Sequence, residues 1–388
     1  MPARRGNPRP IAGHAAVKGV GLLVFTLLGG PVQAELRTEN VILVTFDGVR
    51  TQELFEGMDA DIAAHHEQQD GYSEIPELRK KFWRDSPEQR REVLMPFFWK
   101  QLAPMGVVLG NHGKGSSMQA RNAVLWSSPG YTEIMTGQAQ PEVVDNALVR
   151  YPHRTVMDHV RSTLRLDGSK VVQIGSWNGF RTAASATDGG FTMIGAYDPV
   201  PAPLATPEME LLGSIRREVM ELWEEGSNDA LTYRLAEAYL REHRPRFMWL
   251  AFSQSDDWAH AGRYDRLLAY LHLADDFLRR LWTALQSMDD YHDRTTLVIT
   301  TDHGRGLTAA DWLEHDSTVP GSRDTWVAVI GPDTPDRGEV APATTVYLSD
   351  IAATLLQFFG IDYRQFNPAA GPPIPDTLTI DQNDRRPR

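Results

Sequence analysis

No cysteine occurs among the 388 residues. That absence excludes disulfides, thiolate zinc sites, a cysteine nucleophile and lipid attachment through sulfur. Positive charge is short as well: 39 Lys and Arg stand against 51 Asp and Glu, a formal net charge of -12. Such a balance argues against nucleic acid or an anionic membrane as the main partner. It does not argue against a small anionic substrate, because bound cations can invert the local field. A bilayer-spanning run is also missing near the N-terminus. The apolar stretch Val20 to Leu28 falls short of the about 20 residues that a spanning helix needs. No internal repeat and no long low-complexity tract is visible.

What the N-terminus does contain is the layout of a secretory leader. Arg4, Arg5, Arg9 and Lys18 form a positive region without an acid, the apolar run follows, and Val32-Gln33-Ala34 supplies a small-residue cleavage site. The expectation is a signal peptide over residues 1–34 and a mature protein that is periplasmic or secreted, with no stable membrane anchor after cleavage; a retained N-terminal anchor is the alternative reading. Arg4-Arg5 is a twin arginine without the surrounding residues of a twin-arginine signal.

With 41% hydrophobic residues, the mature chain can bury a sizeable core. Short apolar runs read as buried strands at Val41 to Phe46, Lys170 to Ile174, Phe247 to Phe252, Thr296 to Thr300 and Thr325 to Ile330. Helical patterns separate them. In residues 264–287, Leu267, Leu271, Ala274, Leu278, Leu281 and Leu285 recur at spacings of three and four. Residues 208–243 read as two helices broken near Gly226-Ser227-Asn228. Alternating strands and helices predict a three-layer α/β/α sandwich with a mostly parallel central sheet, occupying residues 35–361. Two stretches depart from that rhythm. Residues 57–105, charged and ending in Phe97-Phe98-Trp99, read as a helical insertion over the sheet edge or the site. Residues 362–388, rich in Pro, Asp and Arg, read as a C-terminal tail.

Open α/β sheets bind ligands at the carboxyl ends of their strands. Val41 to Phe46 leads into Asp47-Gly48-Val49-Arg50, Phe247 to Phe252 into Asp256-Asp257-Trp258-Ala259-His260, and Thr296 to Thr300 into Asp302-His303-Gly304, with His315 in the next loop. A single carboxylate after a strand is ordinarily a helix cap or a turn residue. Three deliveries to one rim are harder to explain that way, since crowded carboxylates repel unless cations intervene. Imidazole and carboxylate donors without thiolates suit zinc or manganese. A nucleophile is offered by Trp126-Ser127-Ser128-Pro129, where Pro in a first helical turn leaves the serines near an anion-favouring helix N-terminus. From the local pattern alone, a plain serine N-cap is the stronger reading. Trp249 and Trp326 read as core, His112 and the pair His65-His66 as non-ligands, and Asp275-Asp276 as solvated or paired residues on a helix.

In order, Phe-Asp-Gly-Val-Arg, Ser-Ser-Pro-Gly-Tyr with Met-Thr-Gly after it, Asp-Asp-Trp-Ala-His, Thr-Asp-His-Gly and a final single His resemble the alkaline phosphatase superfamily. The resemblance is nearest to the branch holding nucleotide pyrophosphatase/phosphodiesterases, cofactor-independent phosphoglycerate mutases and sulfatases. It runs from about Val41 to about Gly360. It implies two divalent metal ions, zinc or manganese. Asp47, Ser127, Asp302 and His303 would hold one; Asp256, His260 and His315 would hold the other. It selects Ser127 over Ser128 as nucleophile and Asp256 over Asp257 as ligand, and it makes Asn146 a partner of the substrate phosphoryl oxygen. Leu348 to Gly360 would be a closing helix with a packing role. Sulfatases carry Arg where this chain has Tyr131, which argues against formylglycine at position 127. Arg50 and Arg305 adjoin the motifs and would be candidates for further phosphate contacts. The implied activity is hydrolysis of a small anionic phosphate ester, first of all a phosphodiester, through a phosphoserine. Phosphomonoesterase, sulfatase-like or phosphonate ester hydrolysis, and a metal-stabilised surface protein without turnover are the competing readings.

Overall fold

A computed structural model describes residues 36–188 and 190–379. The leader expected over residues 1–34 lies outside them. Ten strands appear: β1 Asn40–Phe46, β2 Gly106–Leu109, β3 Met118–Gln119, β4 Val171–Gly175, β5 Thr192–Ile194, β6 Phe247–Phe252, β7 Thr295–Thr300, β8 Val327–Ile330, β9 Gly338–Glu339 and β10 Val346–Tyr347. The first half contributes the helices α1 Thr51–Glu56, α2 Ala60–Gln69, α3 Ile75–Phe82, α4 Pro87–Leu94, α5 Ser127–Thr136 and α6 Val156–Thr163. The second half contributes α7 Asn178–Ala184, α8 Pro207–Glu218, α9 Asp229–His243, α10 Gln254–His260, α11 Tyr264–Gln286 and α12 Asp350–Phe358.

Eight strands form one sheet in the order β5-β4-β6-β1-β7-β8-β2-β9. Pairings are parallel except those of β8 with β7 and β2. The sheet is buried on both faces, which is why its central strands read as continuous apolar runs rather than as alternating ones. Along β1, Ile42, Val44 and Phe46 face one core with α9 and α11, while Val41 and Leu43 face another with α5, α6 and α12. The expected three-layer sandwich is therefore what the chain forms. The stripe of Leu267, Leu271, Ala274, Leu278, Leu281 and Leu285 is the buried face of α11, and Trp249 and Trp326 are core residues.

Residues 57–105 pack beside α11 and reach the sheet edge. There the Arg91 guanidinium pairs with both oxygens of Glu339 at 2.9 and 2.7 Å, and lies 3.6 Å over the Trp99 ring. Asp275 differs from its sequence reading. It is buried, and its carboxylate accepts the N–H groups of Phe97 and Phe98 at 2.8 and 2.7 Å, so it ties this segment to α11. Asp276 is paired with Arg279 as expected. The closing helix α12 is buried almost throughout. Beyond it the chain stays packed, with Phe366, Ile374 and Thr377 all buried. Among the described residues no helix is long and apolar enough to cross a membrane.

Candidate metal centre and nucleophile

The three adjacent central strands β6, β1 and β7 are in parallel register, with Phe46 opposite Phe252 and Thr45 opposite Thr300. Their carboxyl ends therefore reach one rim together. Asp47 immediately follows β1, and Asp302 and His303 follow β7. Asp256 and His260 stand one helical turn apart on α10, which follows β6, and His260 Nε2 is 3.2 Å from Asp256 Oδ2. Close packing depends on two glycines. Gly48 has φ +59°, and a Cβ there would lie 2.6 Å from Asp256 Oδ1 and 3.1 Å from His303 Cε1. A Cβ at Gly130 would lie 2.6 Å from the Asp302 carbonyl oxygen, so α5 rests directly on the strand that carries two of the proposed ligands.

His303 and His315 are held with their metal-binding nitrogens turned inward. His315 Nδ1 pairs with the Leu125 carbonyl at 2.7 Å and His303 Nδ1 with the Gly304 carbonyl at 2.9 Å. A carbonyl can only accept, so each Nδ1 carries the proton and each Nε2 presents a lone pair, the usual outer-shell arrangement of a ligating histidine. Among the described residues, His303 Nε2 and Asp302 Oδ2 are buried without a hydrogen-bond partner. Buried polar atoms without partners cost about 1–3 kcal/mol each, a cost that a bound cation removes.

Two donor groups emerge. Asp47, Asp302 and His303 form one, and Asp256, His303 and His315 form the other, each with its ligand atoms within 4.8 Å of one another. His303 Nε2 is 3.4 Å from both Asp47 and Asp302 but 3.9 Å from Asp256. With one lone pair to give, it belongs with the first group. His260 then completes the second, its Nε2 standing 3.0 Å from His315 Nε2. Ser127 Oγ donates to Asp47 Oδ1 at 3.3 Å and so joins the first group. All seven residues that the sequence assigned to metal meet here.

Electrostatics point the same way. Burial, and then the neighbouring carboxylates, push Asp47 and Asp302 well above the ordinary carboxylate range. Burial also works to raise Asp256, but Arg305 and His260 outweigh it and hold that carboxyl low. His315 is pushed down to about 2, mainly by burial and then by His303, so its imidazole is neutral. Cations between these groups would relieve the repulsion and burial cost together. The donor set is all oxygen and nitrogen and fits divalent ions of the zinc or manganese kind.

Ser127 is the first residue of α5, with its side chain at the helix N-terminus. Asn146 Oδ1 accepts the Ser128 N–H at 2.9 Å, which leaves the Asn146 NH2 free beside Ser127. Two cavities flank this point and share Asn146 and His260. One, of about 430 Å³, is lined by Asp47, Ser127, Trp177, Trp223 and Asp257 among others; the other, of about 460 Å³, by Trp126, His315 and Val319 among others.

Other candidates fall away from the centre. Arg50 is buried and fully engaged by Glu53 and the Gly306 carbonyl, so it does not face the site. Arg305 is buried too, bonded to Asp256 and to the Leu313 carbonyl; it holds a ligand rather than a substrate. His112 lies half-exposed at the start of a short 3-10 turn, near Asp324. His66 pairs with Asp265 and Ser73, and no metal cluster includes His65 or His66 among the described residues. Sequence reading missed Trp177, although it follows the strand run Lys170 to Ile174 and the same carboxyl-end rule would have found it. Trp223, Glu224 and Glu225 were expected in a helix reaching Gly226, but α8 stops at Glu218 and they sit in an irregular connection that only the tertiary fold brings to the rim.

Two candidate donor groups and a serine at a helix N-terminus lie together on the carboxyl edge of an α/β/α sandwich, an arrangement that suits a metal-dependent enzyme. The chain belongs to the metalloenzyme superfamily, whose family model matches residues 64–363. Among solved structures it is similar to a mutant of the alkaline phosphatase PafA, at TM-score 0.55 and 11% identity over 89% of this chain and 100% of that one. It is also similar to the phosphonate monoester hydrolase of Agrobacterium radiobacter, at TM-score 0.50 and 14% identity over 86% and 78%. A phosphonate monoester hydrolase from Silicibacter pomeroyi gives the same figures. No curated protein matches the chain.

Proposed function

We propose that this protein is an exported phosphodiester hydrolase with Ser127 as nucleophile and two divalent ions, zinc or manganese, in its centre. One ion would be held by Asp47, Ser127, Asp302 and His303, the other by Asp256, His260 and His315. When bound, they supply acidification of the serine hydroxyl and neutralisation of charge on the phosphoryl oxygens. The chain's own residues do the rest. Ser127 lines the 430 Å³ cavity, and among the described residues its hydroxyl has Asp47 as hydrogen-bond partner. No histidine base contacts it, so the serine depends on the metal centre for activation. Attack forms the Oγ–P bond and breaks the bond to one ester oxygen, which leaves as an alcohol after taking up a proton. Water then cleaves the phosphoserine, restoring the hydroxyl and releasing a monoester. The free NH2 of Asn146 is placed to hold a non-bridging oxygen through both steps.

The observation that carries the diester reading is the absence of any Lys or Arg among the residues lining the two cavities beside Ser127. A monoester dianion leaves extra oxygens that need cationic side chains. A diester is a monoanion whose extra oxygen is esterified, and it has two arms for the two flanking cavities. Phosphonate monoesters are monoanions as well, so the same lining suits a phosphonate ester as the second reading. Tyr131, buried edge-on against Phe180, occupies the place where sulfatases carry Arg and supports unmodified serine.

The reading is tested with purified, metal-loaded protein on bis(4-nitrophenyl) phosphate, 4-nitrophenyl phosphate, 4-nitrophenyl phenylphosphonate and 4-nitrophenyl sulfate. The diester should exceed the monoester in kcat/KM at least about tenfold, a difference of about 1.4 kcal/mol, with the sulfate inert. A monoester preference would overturn the diester reading. Export rests on the leader pattern of residues 1–34. Intact-mass analysis of protein recovered outside the cytoplasm should show a mature chain starting near Glu35; a full-length mass there would refute cleavage.

A further inference from the structure

The 430 Å³ cavity beside Ser127 has a composition that a generic phosphate site does not require. Two indoles, Trp177 and Trp223, and two carboxylates, Glu224 and Glu225, line it, with Asp257 also in the lining and no cationic side chain. The segment between α8 and α9 that carries three of these residues is fastened in place. Gly226 bridges to Trp177, and the Tyr197 hydroxyl donates to the Gly226 carbonyl. Trp177 Nε1 donates to Glu225 at 3.4 Å. Gln254, on the helix that carries Asp256 and His260, donates to Glu221 at 2.9 Å. Yet Trp223 remains 51% exposed. A large aromatic held open on an anchored segment at a cavity wall is a surface for a ligand.

Indole faces combined with carboxylates form an environment for an organic cation, attracted by the ring quadrupoles and by the negative charge together. A nucleobase would stack on the indoles and donate N–H groups to the carboxylates, but being neutral it would leave their negative charge uncompensated. A second phosphate or any other anion would be repelled by them. We propose that this cavity binds an ammonium group on one arm of the ester, so that the preferred substrate is a zwitterionic phosphodiester of an amino or quaternary-ammonium alcohol. This rests on the diester reading above and narrows it. The phosphate sits at Ser127 and Asn146, and the cationic arm lies between Trp177 and Trp223 with Glu224 and Glu225 as its counter-charge.

The test compares 4-nitrophenyl phosphocholine with its neutral carbon isostere, 4-nitrophenyl 3,3-dimethylbutyl phosphate, on the metal-loaded protein. The cationic ester should win in kcat/KM about tenfold or more. In Trp223→Ala, and in the double variant Glu224→Gln with Glu225→Gln, the ratio should fall toward one. A ratio of one or less in the unsubstituted protein, with both diesters turned over, overturns the cation site and leaves the diester reading standing. Preference for the 4-nitrophenyl ester of thymidine 5′-monophosphate over the phosphocholine ester also overturns it, in favour of a nucleoside arm. If no diester is turned over, the functional reading itself fails, and the cavity is judged by tryptophan fluorescence. A saturable change with tetramethylammonium but not with neopentyl alcohol, lost in Trp223→Ala, sustains the cation site; no such change sinks it.

Discussion

Ser127→Ala should lower kcat by about 10³-fold or more, as expected when a covalent step is lost, while leaving the fold intact. The hydroxyl contributes one hydrogen bond, to Asp47, worth about 1 kcal/mol, and the backbone of α5 is held independently by its packing on Asp302. Asp47, Asp302 and His303 remain to bind the ion at that position. The neighbouring serine is the control. Ser128 Oγ is buried and has no hydrogen-bond partner, whereas its N–H holds Asn146. Ser128→Ala keeps that N–H and should retain activity within severalfold. Steady-state kinetics with circular dichroism on both variants checks this. A dead Ser128→Ala beside an active Ser127→Ala would shift the nucleophile by one residue.

Metal removal should abolish turnover completely, and zinc or manganese should restore it. Stripped of cations, both carboxyls are pushed well above their ordinary range, Asp47 by burial and then by Asp256, Asp302 by burial and then by Asp47, and among the described residues His303 Nε2 and Asp302 Oδ2 have no hydrogen-bond partner. Stability should fall too. An ion present at 100 times its Kd stabilises the folded state by about 2.7 kcal/mol, which corresponds to several degrees of Tm for a domain of this size. Elemental analysis of the active protein should find two ions per chain. Activity indifferent to chelator, or an unchanged Tm after stripping, would refute the centre.

The parts of this site that the sequence reveals and those it hides differ for a physical reason. β1, β6 and β7 lie in the middle of a sheet covered on both faces, so each is an unbroken apolar run whose end is visible, and the polar residue after each run falls at the rim. Asp47, the pair Asp256-Asp257, Asp302 and His303 are legible on that ground. The resemblance then chose Asp256, four residues before His260. Ser127, His315 and Asn146 have no such local signal. A serine before a proline caps many helices, so the local pattern offered Ser127 and Ser128 without choosing between them; the resemblance chose Ser127, gave His315 its role, and alone pointed to Asn146. Charged residues misled in both directions, because burial and partners are set by tertiary packing. Arg50 beside Asp47 turns away to Glu53, Arg305 secures Asp256, and Asp275 caps the turn at Phe97. The short strands β2, β5 and β9 and the rim segment around Trp223 are invisible for the same reason, since their structure comes from neighbours distant in sequence.

The most direct measurement is acid-quench trapping. Metal-loaded protein is mixed with a labelled phosphodiester, stopped at low pH within the first turnovers, digested and sequenced by mass spectrometry. The account predicts a phosphoryl group carrying the substrate's remaining arm on the peptide containing Ser127, at Ser127 itself, and unmodified serine at that position in the resting protein. Label on another residue, no covalent species during rapid turnover, or formylglycine at position 127 would contradict it.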